Sequence, residues 1–176
     1  MKVKVFKKVL ALVIISFTVY SCSSETPNTV NSSSVSESQV NAKFVADFEP
    51  KPKAGQKIVY ISSSPGNQSR ELTTEIIAVD GDVLTVKVTD AEGSKELKGK
   101  NEDFKDDLPQ TGITLEGTED VKVPAGEFKG ATKVSFTNAT NTKVILWLAQ
   151  GTGPIKRIDT LANGLVITTE LKEFKN

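Results

Sequence analysis

The chain has 176 residues, 22 basic and 22 acidic, with one cysteine and no histidine. That length carries one domain plus short extras. The missing imidazole excludes Ser-His-Asp and Cys-His catalysis and the usual zinc sites; the lone cysteine excludes an intrachain disulfide; and no clustered positive patch offers a nucleic acid its phosphate contacts.

Lys2, Lys4, Lys7 and Lys8 form a positive start, followed by the apolar run VLALVIISFTVY from Val9 to Tyr20. As a helix that run spans only ~18 Å, against a hydrocarbon core of ~30 Å, so it reads as a signal peptide and not a stable membrane span. Val19, an aliphatic residue, and Ser21, a small one, precede Cys22. The group resembles the bacterial lipobox, in which the cysteine receives diacylglycerol and becomes the new N-terminus. Tyr20 is bulkier than that pattern prefers, and the alternative is an ordinary signal peptide with an incidental cysteine.

On the lipobox reading, residues 1–21 are a discarded leader and Cys22 is the lipid attachment site. Removing four lysines and no acid from 22 of each sign leaves 18 basic and 22 acidic residues, a net charge of about −4. Two or three acyl chains hold a protein stably on a membrane where one binds only marginally. Ser23, and not an aspartate, follows the cysteine, which favours the outer over the inner membrane in a diderm envelope.

The segment 22–42 is the lipidated cysteine and a tether, SSETPNTVNSSSVSESQVNA after Cys22, with no aromatic residue. Its apolar content is too low to offset the entropy of ordering, so it is expected to be flexible. About 20 such residues give an r.m.s. reach of ~25 Å.

Residues 43–176 form the domain. Phe44 and Phe48 pin its beginning against the core. Lys57–Ser62 reads as a strand, Ser64-Pro65-Gly66-Asn67 as a turn, and Leu72–Val79 as the next strand. Gly81 makes the hairpin into Val83–Thr89, where Leu84, Val86 and Val88 alternate with Thr85, Lys87 and Thr89. Asp90 to Thr111 reads as a solvated loop with at most one helical turn near Asn101–Leu108; Asp90-Ala91-Glu92-Gly93 only hints at a calcium loop and lacks the later ligands. Val121–Val123, Lys129–Thr137, Lys143–Ala149, Ile155–Thr160 and Leu165–Phe174 complete the strands, the last entered through the Asn163-Gly164 turn. Lys143–Ala149 (KVILWLA) barely alternates, which marks a central strand covered on both faces. Short strands at regular spacing predict an all-β domain, an antiparallel meander curled into a barrel or half-barrel.

The pattern V-x-V-P-A-G-x-F at Val121–Phe128, followed by W-x-A-x-G-x-G-x-x-K at Trp147–Lys156, resembles the C-terminal half of TapB-like lipoproteins, a family of unknown function. The resemblance implies a curled all-β sheet on a lipid anchor and transfers no catalytic residue.

Gly151-Thr152-Gly153 lacks the full phosphate-binding fingerprint and its helix, so it reads as a tight turn. No Gly-x-Ser-x-Gly is present, and a carboxylate pair would need two acids facing one cleft. The expectation is a non-enzymatic envelope domain without cofactor or metal. It either binds a partner protein or serves a structural role, or it carries an apolar ligand on the concave face near Trp147 and Ile145. A filled interior favours the first and an open apolar cavity the second.

Overall fold

The computed structural model describes residues 38–104, 108–109 and 111–176. The leader, Cys22 and most of the expected tether lie outside them.

The fold begins earlier than expected. Ser38–Val40 (β1) pairs with Leu115–Ile113, and Ala42–Ala46 (α1) follows. Asn41 caps α1: its side-chain oxygen accepts from the Phe44 N–H at 3.1 Å, satisfying a donor that a helix start leaves orphaned. The end of the assigned tether is therefore part of the domain. Val40 there is half-buried and packs on the core, a contribution too small to stand out in a Ser-rich sequence.

Four strands come next: Lys57–Ser63 (β2), Arg70–Asp80 (β3), Val83–Asp90 (β4) and Gly93–Lys100 (β5). A 3₁₀ turn at Asn101–Phe104 leads away from them. Five more follow: Ile113–Val123 (β6), Gly126–Thr137 (β7), Lys143–Ala149 (β8), Gly153–Thr160 (β9) and Val166–Lys175 (β10). All pairs are antiparallel, in the order β1-β6-β7-β8-β9-β10-β2-β3-β4-β5. Two meanders thus meet where β10 pairs with β2. The edges β1 and β5 do not pair with each other, which makes the sheet a half-barrel and not a closed barrel.

β5 replaces part of the expected loop. Its sequence GSKELKGK shows no apolar alternation because it is the exposed edge, half-buried only at Leu97 and Gly99. Backbone pairing to β4, from Asp90↔Gly93 to Val83↔Lys100, holds it in place. Its lysines blunt an edge that would otherwise template further strands. β6 is also longer than its apolar end suggested. Shifts of register between Leu115 and Gly117 and between Glu119 and Val121 break its pattern.

β8 is central, as its sequence required. Val144, Leu146 and Leu148 are fully buried on one pleat, with Val134 and Phe136 of β7, Ile113 of β6 and Val45 of α1. Phe44 and Phe48, in edge-to-face contact at 5.4 Å, pack on the same cluster. Trp147 and Ile145, on the other pleat, join a second cluster with Val121, Val123, Ile155 and Leu171. The β6–β7 tip closes that cluster, with the Ala125 N–H donating to the Leu171 carbonyl at 3.0 Å. Gly126 there has φ 137°, a conformation open to glycine and strained for other residues.

Candidate functional site: a cavity in the curled sheet

α1 covers only the β6–β8 part of the inner face. Beside it the sheet leaves a cavity of about 550 Å³, within the ~300–1,000 Å³ of typical ligand pockets. Its apolar wall is built by strand alternation. Ile58 of β2, Leu72 and Ile76 of β3, and Leu84 and Val86 of β4 line it, with Phe136 of β7 opposite. Register brings these side chains to one face, since Tyr60 stands beside Leu72, Ile58 beside Thr74 and Ile76 beside Val86. In the sheet β4 and β7 have five strands between them. At ~4.8 Å per strand they would lie about 29 Å apart if flat, so their shared cavity measures how far the sheet curls.

The floor is β9 and β10. Arg157 and Asp159, two residues apart on β9, both point inward. The Arg157 Nε donates to Asp159 Oδ2 at 2.7 Å and its Nη2 to Oδ1 at 2.8 Å. This two-pronged pair is the strong geometry for guanidinium and carboxylate. The neighbouring polar groups are also engaged. The Tyr60 hydroxyl donates to the Pro154 carbonyl at 2.8 Å, Ser62 and Thr169 share a hydroxyl contact at 2.9 Å, and buried Gln56 donates to Asn176 at 3.3 Å. Among the described residues no buried side-chain nitrogen or oxygen lacks a partner. None of them forms a group of three or more acids or thiols able to hold a metal, and no helix among them is long and apolar enough to cross a membrane.

The two residues expected to face a ligand do not line this cavity. Ile145 and Trp147 alternate with Val144, Leu146 and Leu148 and take the other pleat, so the cavity is lined without them. Trp147 is covered there by charged side chains. The Lys133 and Lys156 ammonium groups lie 5.4 Å and 5.8 Å from its ring centroid, and its indole N–H donates to Glu119. Lys133 pairs with Glu116 at 3.1 Å and Lys156 with Glu170 at 2.9 Å. The Ser135 hydroxyl holds the Glu116 carboxyl below its ordinary value of 4.5; burial opposes it less strongly, and Lys133 adds a further lowering. Tyr60, Thr74 and the Arg157–Asp159 pair are the site residues that sequence reading missed. The signal available was alternation in KIVYIS and ELTTEI, which names a face without saying what it encloses.

A second pocket, about 430 Å³, lies by the β2–β3 turn among Ser62, Ser64, Asn67, Arg70 and Asp90. It is open to solvent, and most of the side chains around it are hydroxyl, amide or charged groups.

No family model matches the chain, and no curated protein matches it. The likeness to TapB-like lipoproteins therefore rests on its two motifs, which here form the β6–β7 tip and the β8–β9 turn. Solved structures do match. A Bacteroides fragilis protein described as exported and of YmcC-like fold superposes with a TM-score of 0.50 at 15% identity, over 73% of this chain and 99% of that one. A Parabacteroides distasonis protein described as a lipoprotein gives 0.47 at 12%, over 73% and 98%. MucB gives 0.47 at 11%, over 76% and 56%. At such identity the Bacteroides protein speaks to the fold alone: an open, curled antiparallel sheet.

Proposed function

We propose that this protein is a membrane-tethered envelope domain that holds an apolar ligand, such as an acyl chain, inside its curled sheet. The observation that carries this reading is the 550 Å³ cavity with its wall of Ile58, Leu72, Ile76, Leu84, Val86 and Phe136. A sheet serving only as scaffold or docking surface gains from filling such a space, because packing adds dispersion contacts and removes voids. The chemistry at the floor favours binding over catalysis, since both Asp159 oxygens are held by Arg157. Cys22 supplies the anchor, residues 23–37 the leash, and the cell envelope, with the outer membrane favoured, the place.

Native mass spectrometry of the full-length protein tests this directly. The purified chain should carry, or take up from added acyl lipids, a ligand of defined mass. Thr74 stands half-buried in the cavity wall in mid-β3, so Thr74→Trp should fill the space and abolish the adduct without lowering the melting temperature. A wild-type protein that binds no acyl lipid would leave partner-protein binding as the surviving function.

A further inference from the structure

The apolar cavity adjoins the polar pocket by the β2–β3 turn. Leu72, Thr74 and Ile76 of β3 line the cavity, and a strand turns every second side chain to one face. Arg70, two residues before Leu72, therefore stands on the cavity's pleat where β3 begins. Cross-strand register puts it in one row with Ser62 of β2 and Thr169 of β10. Thr169 lines the cavity, Ser62 and Arg70 line the 430 Å³ pocket, and Ile167 borders both. One space is mainly apolar; hydroxyls of Ser62, Ser64, Ser69 and Thr89 border the other.

Arg70 is exposed, and among the described residues its guanidinium has no ion pair or hydrogen bond. The acids of the pocket are engaged elsewhere: Glu71 takes Lys172, and Asp90 accepts from the Glu92 N–H at 2.8 Å. The turn at Asn101–Phe104 lies at the other end of the sheet, where the Asn101 N–H donates to the Asp82 carbonyl at 2.8 Å.

We propose that this pocket is the head-group site for the ligand whose tail fills the cavity, and that the head is a phosphate ester held by Arg70. This rests on the apolar-ligand reading above. With its tail among Ile76, Leu84 and Val86, a lipid passing the Thr169–Ser62 row brings its head to the guanidinium. The planar fork of arginine fits a phosphate through two parallel hydrogen bonds. The carboxylate of a fatty acid would reach the same cation but leave most of the 430 Å³ to water. A glycerol phosphate also uses the hydroxyls around it, which both donate and accept.

The test is native mass spectrometry of the full-length protein at neutral pH, with equimolar monopalmitoylglycerol and its 3-phosphate, two lipids that share one tail. The wild type should favour the phosphate about fivefold, the upper end for a charge contact that water reaches. Arg70→Gln, at an exposed position, should keep the wild-type melting temperature and the monopalmitoylglycerol adduct but lose the preference. Equal wild-type adducts, or a preference for the neutral lipid, overturn the head-group inference and leave the cavity's role intact. A folded Arg70→Gln protein with an unchanged ratio also overturns it. Glycerol 3-phosphate, the head without the tail, should give no adduct at the same concentration; an adduct as abundant as the lipid's would make this a site for free phosphate esters and overturn the lipid assignment. No adduct of either lipid removes the apolar-ligand reading and this inference with it.

Discussion

Replacing Trp147 by alanine separates a core role from a ligand role. The residue is 7% exposed, packed with Val121, Val123 and Ile155, and roofed by two ammonium groups. Truncating a buried tryptophan costs about 3–5 kcal/mol in lost transfer energy and residual cavity. The indole hydrogen bond to Glu119 and the two cations over the ring are lost with the side chain, which places Trp147→Ala at the upper end of that range. For a domain of this size the melting temperature should fall on the order of 10–20 °C. Urea unfolding followed by far-ultraviolet circular dichroism is the assay, because the variant has lost its only tryptophan. Trp147→Phe keeps most of the apolar ring and should lose about 1–2 kcal/mol. Acyl-lipid adducts should survive in the folded fraction of both variants, since the ring is not in the cavity wall. A loss below about 1 kcal/mol, well short of a buried large-to-small change, would refute the packing argument; loss of the adduct from folded protein would refute the assignment of faces.

Two other perturbations follow from the geometry. The Glu116 carboxyl titrates below its ordinary value of 4.5 in the fold, so it adds stability above that value and loses it as pH falls through the folded one. The melting-temperature gap between wild type and Glu116→Gln should therefore be present at neutral pH and vanish in acid; a gap that widens in acid contradicts the sign. Deleting residues 24–37 should leave the domain's stability unchanged, whereas extending the deletion to residue 41 removes β1 and the α1 cap and should cost about 1 kcal/mol or more. In detergent phase partitioning of cell membranes, Cys22→Ala should move the protein from the detergent phase to the aqueous phase, and unchanged partitioning would refute acylation at Cys22.

Much of the sheet was legible because local chemistry specifies it. The alternation of Leu84, Val86 and Val88, the turn glycines Gly81 and Gly164, and the two-faced run at Lys143–Ala149 each fix a strand or a hairpin through neighbours along the chain. β5 and β1 were hidden, since one carries a single apolar residue, Leu97, and the other is three residues long; backbone pairing, to β4 and to β6, holds each.

The inner surface was decided only in three dimensions. Period-two alternation says that Trp147 and Leu146 point to opposite sides, but both are apolar, and nothing local says which side is enclosed. That choice depends on the direction of curl and on where α1 lands. The cavity joins β2, β3 and β4 to β7, β9 and β10, and the pair at its floor acquires meaning only from the apolar strands around it. Chain order carries strand identity because pleat and turn are short-range; it does not carry the cavity, because a curled sheet assembles one from residues far apart in sequence.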